Sequence, residues 1–369
     1  MSAIQRAFAL LLAGFALSAP AQAQILVGMS AGFTGGQAQY SKDVRGGIEA
    51  YFDVVNAAGG VAGQPIKLVA EDDKGSRDQV LANTKKLIEK DNVFALIGYT
   101  SGAGVESALA ILEQARVPML SPVTGNAAIR LQLYKYLFHS RAGYADEMRR
   151  VVDTLALIGL QRFALVYLED TTVNRKVMEE ALAANNVKEI VAVGLDRNAK
   201  DFSAAVETLM KANPQAVLFI TNARPLVEIV RGMKKRGYSG EFVSSSFAGT
   251  DFVADLKEDA AGVKVVQVLP PPSRTNVRVA REFREHLAKR DPAAKPNYTS
   301  FEGYISARVL VEGLRRAGKG ATREKFIAAL ESISDLDLGG YTVSYSPKSH
   351  GGSRFVDIGI VNSKNAIVF

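Results

Sequence analysis

Short apolar runs alternate with amphipathic stretches of helical length along most of this chain, and that alternation constrains the fold more than any other feature. The runs at 25–29, 66–70, 94–98 and 118–121 have strand length, and segments 41–58, 76–90 and 103–115 separate them. Within 41–58, Val44, Ile48, Phe52 and Val55 recur at the helical period, and Gly59-Gly60 stops the helix. A strand that rejoins its sheet through a helix runs parallel to its predecessor, so the pattern predicts a parallel sheet with helices on both faces. A second series repeats the logic, with helices at 145–158, 173–185, 202–212 and 225–236 and strands at 163–168, 190–193, 216–220, 242–245 and 263–268. The predicted class is α/β, with two doubly wound parallel-sheet lobes.

The tail breaks the tandem. Pro270-Pro271-Pro272 is a stiff connector, because consecutive prolines fix an extended chain. Helical patterns at 277–289, 298–317 and 323–332 follow, then strand-like segments at 341–345 and 355–361. Three helices without a sheet of their own must pack on an existing lobe. We therefore expect lobe one to comprise 24–142 and 271–340, and lobe two 143–270 and 341–369. Several crossings between lobes form a hinge, which suits closure around a ligand.

Residues 1–23 read as a secretory signal peptide. Arg6 precedes an apolar run at 7–17, and Ala21-Gln22-Ala23 places small residues where a signal peptidase reads, so cleavage is expected after Ala23. The run is too short to span about 30 Å of hydrocarbon, and the expected location is the periplasm. With no cysteine among 369 residues, disulfides, thiolate nucleophiles, thiolate metal sites and a lipoprotein anchor are excluded. His139, His286 and His350 are not in a metal-ligand spacing, and neither metal nor cofactor is expected. The net charge of +7 comes from basic residues in ones and twos on helices, as in Lys85-Lys86 and Arg149-Arg150, so solvated faces are predicted and no nucleic-acid partner. There is no Gly-x-Ser-x-Gly elbow and no serine coupled to a histidine at recognisable spacing, so a non-enzymatic protein is expected; a monomer is expected as a separate matter.

In open α/β sheets ligands sit beyond the carboxyl ends of the strands, where loops and helix N-termini converge. That rule selects the loop at 29–40 ending in Tyr40, the segment Tyr99 to Gly104 with Ser101 and Gly102, and the loop with Val123, Thr124 and Gly125. Two loops rich in N–H and hydroxyl groups that each open a helix can seat an anion, for which a carboxylate is the preferred guest. Ser101 reads equally well as a plain helix cap. Gly102-Ala103-Gly104 only loosely matches a dinucleotide fingerprint and lies on the third strand rather than the first. Glu71-Asp72-Asp73 is assigned turn and cap duty. In lobe two, Glu169 and Asp170 follow a strand, and Tyr144 and Phe247 are candidate walls.

These residues carry a resemblance. Val27-Gly28 with the Gly35 to Tyr40 loop, Gly46-Gly47-Ile48-Glu49, Asn56-Ala57-Ala58-Gly59-Gly60-Val61-Ala62-Gly63, Glu71-Asp72-Asp73, Leu96-Ile97-Gly98, Ser121-Pro122 and Lys200-Asp201-Phe202-Ser203 occur in order. The chain resembles the leucine/isoleucine/valine-binding protein family, the periplasmic receptors of branched-chain amino acid type ABC transporters. The resemblance implies a type I periplasmic-binding fold with three hinge crossings, a cleft closed on its ligand, and an inner-membrane permease as partner. It also implies that the loops matching Ser101-Gly102 and Val123 to Gly125 hold a ligand carboxylate, and that an aromatic matching Tyr40 stacks on the ligand.

Four positions depart from the family pattern. The usual carboxylate-binding serine matches Gly102 and the usual threonine matches Gly125. The acid that pairs with an α-amino group matches about Ser246, and a family tyrosine matches about Ala223, beside Asn222. A buried ammonium without a carboxylate is costly, so either Glu169 or Asp170 replaces the acid or the ligand is not an α-amino acid. The expected ligand is a small carboxylate, aromatic or aliphatic, or an amino acid. A ligand sensor for a membrane signalling protein and an exported hydrolase are the alternatives. Some relatives carry a disulfide between the loops matching Gly75 and Ser101, and both positions lack cysteine here.

Overall fold

The computed structural model describes residues 24–196 and 199–369, so the predicted signal segment lies outside the described residues. The first series folds as expected into a five-stranded parallel sheet of order β2-β1-β3-β4-β5. Its strands are β1 (Ile25–Ala31), β2 (Ile66–Asp72), β3 (Ala95–Ile97), β4 (Met119–Leu120) and β5 (Leu137–Phe138). Helices α1 (Ala38–Ala57), α2 (Arg77–Glu89) and α3 (Gly102–Ala115) connect them.

The chain then leaves this lobe through 139–143 and enters α4 (Tyr144–Leu157). Lobe two alternates β6 (Arg162–Leu168), α5 (Val173–Ala184), β7 (Lys188–Leu195), α6 (Ser203–Ala212), β8 (Ala216–Ile220), α7 (Ala223–Lys235), β9 (Glu241–Ser244), α8 (Phe252–Leu256) and β10 (Lys264–Gln267). β6 and β8 are buried almost throughout, as strands covered on both faces must be.

After the proline connector, α9 (Arg278–Arg290), α10 (Tyr298–Ala317) and α11 (Arg323–Glu331) return to lobe one. α10 packs on α1 through two glycines. A Cβ at Gly47 would fall 1.8 Å from the Ser300 carbonyl oxygen, and one at Gly303 would fall 2.1 Å from that of Val44. Backbones this close leave room for no side chain, which explains Gly47 of the Gly-Gly-Ile-Glu pattern at 46–49 in packing terms, whereas a Cβ at Gly46 would meet nothing.

A three-stranded sheet, β11 (Leu336–Asp337), β12 (Thr342–Ser346) and β13 (Ser349–Gly352), follows. The expected lobe boundary at 341 differs from what is observed. Tyr341, Val343 and Tyr345 alternate into the lobe-one core, where the Tyr345 ring meets Phe138 edge-on at 5.3 Å. The His350 ring on the next strand stacks on Phe138 at 3.7 Å. The crossing to lobe two comes at 353–356, after which β14 (Asp357–Val361) joins β10 antiparallel and β15 (Ile367–Val368) adds an edge. Lobe one has one apolar core, and lobe two has a cluster on each face of its sheet.

Candidate functional site

The carboxyl ends of the two sheets face each other across a cleft of about 1330 Å³. Lobe one contributes Tyr40, Ser101, Gly102, Thr124 and Asn126, and lobe two contributes Tyr144, Asp170, Asn222 and Phe247. Local chemistry shapes each edge. Asp72 accepts hydrogen bonds from Phe33 N at 2.9 Å and from the Thr34 hydroxyl at 2.8 Å, and Asp73 accepts from Gly75 N at 2.9 Å. These carboxylates therefore pin the loop after β1, the cap duty expected of them. Ser121 ends β4 in the left-handed region at φ 49° and turns the next loop inward.

Two glycines explain why this cleft lacks side chains where the family resemblance expects them. A Cβ on Gly102 would lie 2.7 Å from both Cβ and Nδ2 of Asn126 and 3.0 Å from the Thr124 hydroxyl. A Cβ on Gly125 would lie 2.4 Å from the Tyr144 ring. Asn126 and Tyr144 occupy the volume that a serine and a threonine would need. Asn126 is held in place because its Oδ1 accepts from Ala128 N at 2.9 Å. At α3 the Ser101 hydroxyl accepts from Gly104 N at 3.1 Å, so it caps the helix as well as facing the cleft. The Tyr40 hydroxyl donates to the Val123 carbonyl at 3.3 Å, and the Tyr144 and Phe247 rings stack at 5.9 Å.

Beneath Tyr40 and Tyr144 lies a buried charge cluster. Arg141, in the crossing from lobe one to lobe two, donates from Nη2 to Glu147 Oε1 at 2.5 Å and to the Ser246 hydroxyl. Ser246 in turn donates to Glu147 from its hydroxyl at 2.6 Å and its backbone N at 2.8 Å. On the lobe-one side, Arg141 Nη1 reaches both oxygens of Glu302 at 3.5 Å. The guanidinium also lies 5.9 Å from the centre of the Tyr144 ring. Burial works against the Arg141 charge, but Glu302 and then Glu147 outweigh it and hold the guanidinium ionised. Both carboxyls sit above the usual range because burial exceeds the pull of Arg141. Burial pushes the Tyr144 hydroxyl up to about 12 against Arg141, and raises Tyr40 well above its ordinary value with help from Glu302.

Among the residues selected from sequence, Tyr40, Ser101, Gly102, Thr124, Tyr144, Asp170, Asn222 and Phe247 come together on the cleft wall. Tyr99 does not. It is fully buried in lobe one, its hydroxyl 3.1 Å from that of Thr84. Val123 offers its carbonyl to Tyr40, Gly125 packs under Tyr144, and Ser246 belongs to the buried cluster. Asn126, Arg141, Glu147 and Glu302 escaped sequence reasoning. The signal for Arg141 and Glu147 was a spacing across the start of α4, but no pattern ties either to Glu302, which lies 161 residues beyond Arg141. The histidines serve structure, with the His139 ring on the Ile129 carbonyl and His286 on the Tyr304 hydroxyl. Among the described residues no group of His, Cys, Asp or Glu is placed to hold a metal ion.

This architecture, two parallel-sheet lobes, three crossings and a cleft between carboxyl ends, defines the class of two-lobed binding proteins. The chain belongs to the periplasmic binding protein family, whose model matches residues 24–366. It is 26% identical to an amino acid binding protein of Pseudomonas aeruginosa over 82% of this chain and 81% of the relative. A leucine-, isoleucine-, valine-, threonine- and alanine-binding protein of the same organism is 25% identical over 88% of this chain and 86% of its own length. The crystal structure of a substrate-binding periplasmic protein from Ralstonia solanacearum superposes with a TM-score of 0.87 at 28% identity, covering 94% of this chain and 99% of that one.

Proposed function

We propose that this protein is an exported, non-enzymatic solute receptor that traps a small organic carboxylate between its lobes and hands it to an inner-membrane ABC permease. The observation that carries the ligand class is the state of the cleft floor. Ser246 stands about where the family resemblance expects the acid that pairs with an α-amino group, and the buried Glu147 bonded to it already shares the chain's own cation, Arg141, with Glu302. A carboxylate bound at the start of α3 gains from the helix N-terminus and the Thr124 loop, while Tyr40, Tyr144 and Phe247 offer apolar faces to an aromatic or branched body. Ligand contacts to both lobes stabilise the closed state, and the permease reads that state.

A second reading is an α-amino acid ligand. Asp170 and Glu169 line the lobe-two wall and could receive an ammonium, and the Pseudomonas relatives carry amino acid-binding names. Calorimetry with leucine, 4-hydroxybenzoate and a branched keto acid separates the two. The carboxylate reading expects binding of an acid that lacks an amino group, with leucine at least tenfold weaker, about 1.4 kcal/mol. Tight leucine binding would select the second reading.

A further inference from the structure

The buried cluster under the cleft joins the two lobes asymmetrically. Arg141 lies in the first crossing, so it belongs to neither sheet. Toward lobe two it makes a compact set of bonds, with Glu147 Oε1 at 2.5 Å, the Ser246 hydroxyl, and Ser246 N closing on Glu147 Oε2 at 2.8 Å. Its Nε is taken by the Ala142 carbonyl at 3.0 Å. Toward lobe one its one hydrogen-bonding partner among the described residues is Glu302 on α10, both of whose oxygens lie at 3.5 Å, the outer limit of a hydrogen bond. The Arg141, Glu147 and Glu302 side chains are 2%, 0% and 9% exposed, so water cannot substitute for either partner.

We propose that Arg141 is the staple of the hinge: it stays with Glu147 and Ser246 of lobe two, and engages Glu302 of lobe one fully only when the lobes close. Two arguments support this. In a dry site an ion attracts its partner far more strongly than in water, so shortening one Arg141–Glu302 contact is a large bias on a small rotation. Second, the staple touches the cleft floor. Tyr144 of lobe two lies against the guanidinium, and the Tyr40 hydroxyl, raised first by burial, also feels the charges of Glu302 and Arg141. A ligand that settles Tyr40 and Tyr144 therefore acts on the pivot itself. The proposal rests on lobe closure being the working motion of the receptor.

The cysteine-free chain permits a direct test. Spin labels at Lys42→Cys in lobe one and Ala254→Cys in lobe two, both exposed, report the inter-lobe distance distribution by pulsed electron spin resonance, with and without each panel acid. Glu302→Gln keeps the shape and removes the charge. The expected result is a shift toward longer distances and about tenfold weaker binding of whichever panel acid closes the parent protein. Glu282→Gln, which breaks an ion pair with Arg308 inside lobe one, should leave the distribution in place. Superimposable distributions for Glu302→Gln and parent would overturn the staple. If Glu302→Gln does not fold, Glu302→Asp carries the test, since a carboxylate withdrawn by one methylene must give the same shift. A parent distribution that no panel acid changes would instead count against the receptor reading, so the two failures are distinguishable.

Discussion

Removing the Glu147 carboxylate would leave the Arg141 guanidinium buried against Ser246, with only Glu302 at 3.5 Å to balance it. Breaking one partner of a buried pair leaves an uncompensated charge, so Glu147→Ala is expected to cost about 3–5 kcal/mol in urea unfolding. A loss below about 1 kcal/mol, the range of exposed pairs, would mean that water reaches the cluster. Gly102 tests the opposite limit. Gly102→Ser would drive a side chain into Asn126 and Thr124, and overpacking of this kind costs about 1–3 kcal/mol. Restoring the residue that the family resemblance expects should therefore lower the melting temperature and weaken ligand binding. Unchanged stability with tighter binding would show that the Asn126 carboxamide yields easily. Sequence reasoning could see that Gly102 and Gly125 depart from the pattern. It could not see that Asn126 and Tyr144 fill the space, because that is a fact about contact volume.

At the scale of elements, most of the alternation was legible because amphipathic helices and buried parallel strands leave periodic signals. The 298–317 pattern matches α10 over its full length, and α3 begins at Gly102, one residue before the expected start at 103, with Ser101 as its cap. Ser101→Ala removes that cap and is expected to cost about 0.5–2 kcal/mol, read by thermal melting. If Ser101 also holds the ligand, affinity should fall by more than the cap accounts for. Equal loss in free and ligand-bound protein would make it a cap alone. The strands β5, β11, β13 and β15 were not legible, since two to four residues carry no period. The lobe boundary at 341 went astray for a related reason. Alternating Tyr341, Val343 and Tyr345 announce a strand with one buried face, but pairing with Phe138 decides which core receives it. The site was legible at loop level, through the rule about strand carboxyl ends. The charge cluster was not, because it joins residues from three separate passes of the chain.

For the whole molecule, two carboxylates sharing one guanidinium predict an unusual response to pH. Glu147 and Glu302 are both raised, chiefly by burial. A carboxyl whose folded pKa exceeds its unfolded value binds protons more readily when folded. Its contribution is therefore fully present below the unfolded value of about 4.3 and is lost as pH rises through the folded value. Glu302→Gln escapes that loss. The stability of the variant relative to the parent should rise between pH 4 and pH 7 by about 1.4 kcal/mol for each unit of raised pKa, measured by urea unfolding at each pH. A relative stability that falls over this window would contradict the direction assigned to Glu302.

The central claim is that the cleft between the lobes receives a small carboxylate through the α3 and Thr124 loops. Calorimetric titration of residues 24–369 with a panel of aromatic and aliphatic acids, each beside its primary amide, tests it most directly. The account predicts that at least one acid binds one to one and that its amide binds at least tenfold more weakly, about 1.4 kcal/mol. A panel that is silent throughout, or an amide that binds as tightly as its acid, would contradict it.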